Sequence, residues 1–203
     1  MLLRELKSIE KTGSGYVLHG DAADVLLIFM TDDVIRVRVS FRRDFKEESY
    51  TLVTTAWEDR MDELLKDERT RIKSLDIPCE EKNGKLVFTT GTCILEIRKT
   101  PFFLTLKTLD GAVVYQDLKE RAFEKDYLGR LAHYSKMDPV NDHFYGLGEK
   151  TGCLDKKGRR LRMSPKDAIG HDPEFGDPMY KHIPFYIRIN EKTAYAIGLF
   201  YHN

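Results

Sequence analysis

Cysteine is scarce in this sequence of 203 residues. The three that occur, Cys79, Cys93 and Cys153, are odd in number and widely spaced, and Cys93 lies within an apolar, strand-like pattern. A disulfide framework needs paired cysteines in an oxidising compartment. We therefore expect reduced thiols and a cytoplasmic protein.

Net charge and long apolar runs are also missing. The 33 Lys and Arg residues balance 33 Asp and Glu residues, so no net field attracts nucleic acid or an anionic membrane from a distance. The apolar run ADVLLIFM is too short to cross a bilayer, and the start MLLRELKSIEKTG has no secretory h-region. We expect a soluble protein that has neither nucleic acid nor membrane as a partner.

The remaining composition is that of a globular protein. Hydrophobic residues make up 41% and aromatic residues 11% of the chain, which is enough to form a core and excludes disorder. No repeat, low-complexity run or Pro/Gly/Ser-rich linker interrupts the sequence. We therefore treat residues 1–203 as a single domain.

Alternation of apolar and polar residues predicts many short strands. Gly91 predicts a turn within residues 85–99, and the triplets LDG, KKG and NEK predict further turns. Such short, even spacing favours an antiparallel sandwich or barrel. The predicted strands cover residues 34–41, 85–99, 102–108, 112–117, 159–163 (RRLRM), 183–189 and 194–202.

Two stretches have helical features. In residues 57–72, Trp57, Met61, Leu64 and Leu65 recur at helical spacing, and residues 117–126 (DLKERAFEKD) contain good helix formers but only a weak apolar stripe. We expect one or two short helices that decorate the sheets.

The glycines of FYGLGEKTG resemble a phosphate-binding loop only superficially. Gly146, Gly148 and Gly152 have the wrong spacing, no helical pattern follows them, and Glu149 would repel a phosphate. A tight strand-to-turn corner is the better interpretation.

The seven Lys and Arg residues between 150 and 166 are accompanied by no aromatic side chain for base stacking, so a solvated hairpin is favoured over a nucleic-acid site.

The stretch MSPKDAIGHDPEFGDPMY (163–180) is rich in carboxylates and proline. His171, Asp172, Glu174, Asp177 and His182 have no metal-ligand spacing, so we predict no metal. Hydrolysis of a glycosidic bond needs two carboxyl groups at a defined separation, but spacing along an irregular loop fixes no distance. A single carboxylate that accepts hydrogen bonds from sugar hydroxyls is the simpler hypothesis.

Three segments together resemble the stretch that precedes the catalytic barrel in family 31 glycoside hydrolases, the α-glucosidase and α-xylosidase family. They are FYGLGEKTGCLDKKGRRLRM, KDAIGHDPEFGDPMYKHIPFYI and AYAIGLFYHN. The resemblance implies a mainly β fold, an antiparallel β-sandwich of the galactose-mutarotase-like supersandwich type. It also implies that this N-terminal domain packs in cis against a catalytic (β/α)8 barrel, which these 203 residues do not contain.

In that family, an Asp nucleophile in a W-DMNE-like segment and a second Asp perform retaining hydrolysis of α-linked sugars at the non-reducing end. No such segment occurs here, so the resemblance implies no catalytic residue in this piece, no cofactor, and no activity for the piece alone. It implies that Asp167, Ile169 and His171 bind an α-linked oligosaccharide, with Asp167 on the aglycone side. His171 replaces the commoner Tyr of the family, and Ser164-Pro165 replaces the usual Trp-Asn. The preferred sugar is therefore left open. Homo-oligomerisation of the parent protein is also left open.

Two other interpretations stay open at this point. One is a stand-alone carbohydrate-binding sandwich. The other is an aldose-epimerase-like enzyme with His143 or His182 as acid and Glu149 or Glu174 as base.

Overall fold

The computed structural model describes residues 1–45, 48–65 and 69–202. Within these ranges the chain forms two compact units, Met1–Lys136 and Met137–Asn203, which are described separately. The expectation of one domain for residues 1–203 stays a prediction.

The first unit begins with a four-stranded antiparallel sheet in the order β1-β2-β3-β4. Each strand pairs with the next through a short turn, as expected for neighbouring runs of β-branched and aromatic residues. Its strands are β1 (Leu6–Lys11), β2 (Tyr16–Gly20), β3 (Asp24–Phe29) and β4 (Ile35–Ser40).

A connecting segment holds two very short parallel strands, β5 (Thr54–Thr55) and β6 (Thr70–Arg71), with α1 (Met61–Leu65) between them. Asp59 begins this helix: its Oδ1 accepts a hydrogen bond from the Met61 amide at 2.8 Å, and Asp62 Oδ2 accepts one from the Asp59 amide at 2.7 Å. This reciprocal pair has the form of a capping box.

The helix predicted over residues 57–72 is therefore confirmed only in its middle. Trp57 precedes α1, where the Arg36 guanidinium lies 4.0 Å from the centre of its indole, and residues 66–68 lie outside the described ranges. Among the described residues, α1 is the only α-helix, and it is far too short to cross a membrane.

A second antiparallel sheet of the first unit has the order β11-β10-β9-β8-β7. The turn at Gly91 and the hairpin at LDG both occur where the sequence predicted them. The strands are β7 (Cys79–Lys82), β8 (Lys85–Thr89), β9 (Cys93–Arg98), β10 (Phe103–Thr108) and β11 (Val113–Gln116), followed by a hairpin of β12 (Phe123–Lys125) and β13 (Leu131–His133).

The two larger sheets share one core, which confirms the predicted β-sandwich. Phe88 is fully buried, and its ring centre lies 5.1 Å from that of Tyr16 and 5.3 Å from that of Phe29 on the opposite sheet. The alternation of buried positions along β8 and β9 directs one side of each strand into this core. The buried cluster also includes Leu18, Val25, Leu27, Leu86, Leu95, Ile97 and Leu104.

The helix predicted for residues 117–126 is wrong. Asp117 instead bonds to the Leu104 amide through its carboxylate, and Phe123 stacks on His133 with ring centres 4.4 Å apart. The Tyr134 amide donates to the Ala122 carbonyl at 2.9 Å. Strand pairing and burial of Ala122 and Phe123 outweigh a weak helical preference.

The second unit contains a three-stranded antiparallel sheet in the order β14-β15-β16. Its strands are β14 (Asp142–Gly148), β15 (His182–Asn190) and β16 (Tyr195–Phe200). The long connection from β14 to β15 carries the carboxylate-rich stretch, which we call the acidic loop (residues 163–180).

The strand predicted for RRLRM is also wrong. Residues 159–163 have no ladder partner: the Arg162 amide donates to Asp177 Oδ2 at 2.5 Å, and the Arg162 carbonyl accepts from Lys150 Nζ at 2.5 Å. Leu161 and Met163 are half-buried whereas Arg160 and Arg162 are exposed. Side chains thus satisfy backbone groups that a neighbouring strand would otherwise satisfy.

We expect Phe88→Ala to lower the free energy of unfolding by about 3–5 kcal/mol, because it opens a cavity between the two sheets. Urea denaturation followed by circular dichroism measures the change. Val113→Ala, at a half-exposed position of β11, is the control and should change stability by less than about 0.5 kcal/mol. Equal effects of the two substitutions would contradict this core.

Candidate functional site

The acidic loop forms a cleft of about 340 Å³, which is lined by residues 166–172 and 175–178. Asp167, Ile169 and His171 all line it and are all exposed. The structure thus brings the three sequence-predicted binding residues together. Buried Ala168 anchors the loop between them, and the His171 amide donates to its carbonyl at 3.1 Å, which closes a turn.

A buried ion pair holds one end of the acidic loop. Lys150 Nζ lies 2.8 Å from Asp177 Oδ1, and the two side chains are 1% and 14% exposed. Burial disfavours the charged carboxylate, but the hydrogen bonds from Lys150 and from the Arg162 amide outweigh it, so the pKa of Asp177 lies below its usual value. Asp177 therefore ties the loop both to the residues after β14 and to RRLRM.

Backbone contacts fix the middle of the loop. The Gly152 amide donates to the Pro173 carbonyl at 3.0 Å, and the Thr151 hydroxyl donates to the Gly176 carbonyl at 2.5 Å. Gly152 has a φ of 76°, and an added Cβ would lie 2.7 Å from the Glu174 carbonyl oxygen. Glycine is required there because the two segments approach so closely.

The three aspartates of the loop fall into two groups. Asp172 Oδ1 accepts hydrogen bonds from the Phe175 and Glu174 amides, which lower the pKa of Asp172, and Asp177 is held by Lys150. Both shape the loop itself. Asp167, in contrast, makes no hydrogen bond or ion pair with any residue that the structure describes, so its carboxylate is free to accept hydrogen bonds from a ligand.

The GLGE motif forms the corner that the sequence predicted. Gly146 pairs with Tyr186 and Gly148 with His182, with a bulge at Leu147 between them. Gly148 has a φ of 79°, and an added Cβ would lie 2.7 Å from the Ile183 amide nitrogen. The corner directs the chain out of β14 toward the residues that anchor the acidic loop.

Two of the four residues in the epimerase interpretation, His143 and Glu149, have other partners. His143 Nδ1 lies 2.7 Å from Asp155 Oδ2, and the Glu149 carboxylate accepts the Lys181 amide at 3.2 Å. His182 lies at the start of β15, opposite Gly148. Within residues 1–45, 48–65 and 69–202, no three His, Cys, Asp or Glu side chains are grouped as metal ligands.

Sequence reasoning missed two contributors to the site. Lys150 was counted only as one of several basic residues, yet it is the buried partner of Asp177. Phe175 was not singled out, yet it lines the cleft and is 69% exposed. The sequence did contain an indication for Phe175, because it is the only Phe, Trp or Tyr in the run GHDPEFGDP.

Fold and loop together define a class of protein: a domain built on antiparallel sheets that carries an open cleft with a free carboxylate. Residues 24–203 match the family described as the glycosyl hydrolase 31 N-terminal galactose mutarotase-like domain. The chain belongs to this family.

Individual proteins show the same relationship. The chain is 27% identical over 190 residues to Alpha-glucosidase 2 of Bacillus thermoamyloliquefaciens, covering 93% of this chain and 22% of that protein. It shares its fold with a GH31 dextranase of Flavobacterium johnsoniae complexed with glucose, with a TM-score of 0.76 at 20% identity, covering 93% of this chain and 21% of the dextranase.

A GH31 α-xylosidase from a soil metagenome, complexed with xylose, has the same fold with a TM-score of 0.65 at 13% identity, covering 90% of this chain and 26% of that protein. The chain therefore spans only about a fifth to a quarter of the length of these relatives.

We expect Asp177→Asn to lower the free energy of unfolding at pH 7 by about 2 kcal/mol, because it leaves the buried Lys150 ammonium without its counter-ion. Since the folded-state pKa of Asp177 is lowered, its contribution is complete above the unfolded-state pKa of about 3.9 and is lost as the pH falls toward the folded-state pKa. Urea denaturation between pH 7 and pH 3 should show the difference from the wild type shrinking below about pH 4.

The matched control is Glu174→Gln, at an exposed carboxylate of the same loop. It should leave stability unchanged at every pH. A pH-independent loss in Asp177→Asn would contradict the ion pair as the source of the effect.

Proposed function

We propose that this chain is the N-terminal domain of an α-glucosidase-type glycosidase that performs retaining hydrolysis of α-linked sugars at the non-reducing end. In such a reaction two carboxyl groups about 5–5.5 Å apart act as nucleophile and acid/base. The catalytic pair lies in a barrel outside these residues, and the chain alone is inactive. Membership of the family and the likeness to an α-glucosidase support this proposal.

The free carboxylate of Asp167 is the observation that carries the chain's own role. Asp172 and Asp177 already have partners, whereas Asp167 lines an open cleft and has no partner among the described residues. An ionised carboxylate accepts hydrogen bonds from sugar hydroxyls with charge-assisted strength. Asp167 therefore binds and orients the aglycone sugar of the substrate, while Ile169 and His171 shape the cleft around it.

The second unit also offers a surface for the barrel. Along β15, every second side chain from Ile183 to Ile189 is apolar and between 36% and 55% exposed, and Phe200 of β16 is 45% exposed. A contiguous apolar sheet face of this kind is typical of a surface that is covered in the complete protein. We assign the catalytic barrel as the part of the protein that covers this face.

The free thiols support a cytoplasmic location for the parent protein.

In the full-length protein that contains this chain, Asp167→Ala should lower kcat/KM for an α-linked disaccharide about tenfold or more, through KM, because a charge-assisted hydrogen bond is lost. Steady-state kinetics with maltose, isomaltose, nigerose and kojibiose measure the effect. Glu174→Ala is the control, because Glu174 is exposed in the same loop but does not line the cleft. Unchanged kinetics in Asp167→Ala would remove the substrate role of this residue.

Ile187→Lys should destabilise the full-length protein by at least about 2 kcal/mol, because it buries a charge against the barrel. In the 203-residue chain alone it should change stability by less than about 0.5 kcal/mol, since Ile187 is exposed there. Differential scanning calorimetry compares the two proteins, with the exposed Val140→Lys of the same unit as control. Equal effects of Ile187→Lys with and without the barrel would contradict the assigned cover.

Calorimetric titration of the isolated chain with maltose, and polarimetry of fresh glucose in its presence, test the competing interpretations. Measurable binding heat would favour a stand-alone carbohydrate-binding domain. Accelerated mutarotation would favour an epimerase.

A further inference from the structure

Phe175 is an exposed aromatic side chain on a firmly held backbone. Asp172 Oδ1 accepts hydrogen bonds from the Phe175 amide at 2.9 Å and from the Glu174 amide at 2.7 Å. The Gly176 amide donates to the Asp172 carbonyl at 2.9 Å. Asp172 thus fixes the residues on both sides of Phe175.

A second set of contacts ties this turn to the segment that follows β14. The Gly176 carbonyl accepts from the Thr151 hydroxyl, and the Pro173 carbonyl accepts from the Gly152 amide. An added Cβ at Gly176 would lie 2.6 Å from the Asp172 carbonyl oxygen. The turn is therefore closely packed, and the Phe175 ring projects from a backbone that is held by several hydrogen bonds.

Phe175 and Asp167 line the same cleft. Ile169, which is 85% exposed, adds further apolar surface. The cleft therefore combines exposed apolar surface with a free anionic acceptor. A pyranose ring fits this combination, because its apolar C–H faces pack on an aromatic ring while its hydroxyl edge donates to a carboxylate. A phosphorylated ligand does not fit, since Asp167 would repel it.

We propose that Phe175 is a specificity-determining residue: its ring is the platform on which the aglycone sugar packs while Asp167 binds a hydroxyl of that sugar. This inference rests on the proposed function and adds a second contact, of a different physical kind, to the same cleft. The platform acts only on substrates whose leaving group is a sugar.

The test compares two kinds of substrate in the full-length protein. α-Glucosyl or α-xylosyl fluoride has no aglycone sugar, whereas the best cleaved of maltose, isomaltose, nigerose and kojibiose has one. Phe175→Leu keeps apolar volume but removes the ring, and it should lower kcat/KM for the disaccharide about tenfold through KM while leaving the fluoride unchanged. Phe175→Trp should stay within about threefold of the wild type on both substrates.

Tyr127→Leu is the matched control, because Tyr127 is a fully exposed aromatic residue of the other unit. Equal losses on both substrates in Phe175→Leu, together with a lower Tm, would show that Phe175 packs on the rest of the protein and would overturn the inference. No loss on either substrate would also overturn it. A wild-type protein that cleaves neither substrate would overturn the proposed function, and this inference with it.

Discussion

The acidic loop depends on one buried ion pair, Lys150 with Asp177. Lys150 Nζ and Asp177 Oδ1 lie 2.8 Å apart, and the Lys150 side chain is almost completely shielded from water. A buried ammonium ion needs a counter-charge and hydrogen-bond acceptors, and Asp177 and the Arg162 carbonyl supply them. The same carboxylate accepts the Arg162 amide, so three separate segments meet at one group. This contact fixes one end of the loop, and the backbone contacts of Thr151 and Gly152 fix its middle.

This arrangement explains how a loop with several carboxylates can offer a defined binding surface. Asp172 accepts hydrogen bonds from backbone amides inside the loop, and Asp177 binds Lys150 and the Arg162 amide outside it, so both charges are used for folding. Asp167 alone of the three aspartates remains open to a ligand. If the loop binds sugar as proposed, the conformational entropy of the loop is thereby lost during folding rather than on binding. Family membership, which concerns the whole chain, and the geometry of the loop, which concerns a few atoms, both support the proposed role in sugar binding.

Strands β4, β8–β11, β15 and β16 were predictable because alternation of apolar and polar residues is a local property of the sequence, whereas β1–β3, β5–β7 and β12–β14 were not predicted. Residues 85–99 and 183–189 alternate with period two, and both form strands with the expected turn or sidedness. The failures occurred where distant partners decide the outcome. Residues 117–126 contain helix formers, but Phe123–Lys125 pairs as a strand with β13. RRLRM alternates like a strand, but the Arg162 amide and carbonyl bond to the side chains of Asp177 and Lys150. The assignment of Asp167, Ile169 and His171 to substrate binding came from the family resemblance and stays a prediction.

The amino-acid sequence by itself determined the mainly β architecture, the corner at GLGE and the family, because periodicity, glycine placement and motif order are local properties of the chain. Tertiary structure alone decided which aspartates of the loop have partners and which one has none, and that Phe175 lines the cleft beside Asp167. The physical reason is that a hydrogen bond or ion pair is assigned by distance in space. Lys150 and Asp177 lie 27 positions apart in the sequence, and nothing local to either residue specifies the other.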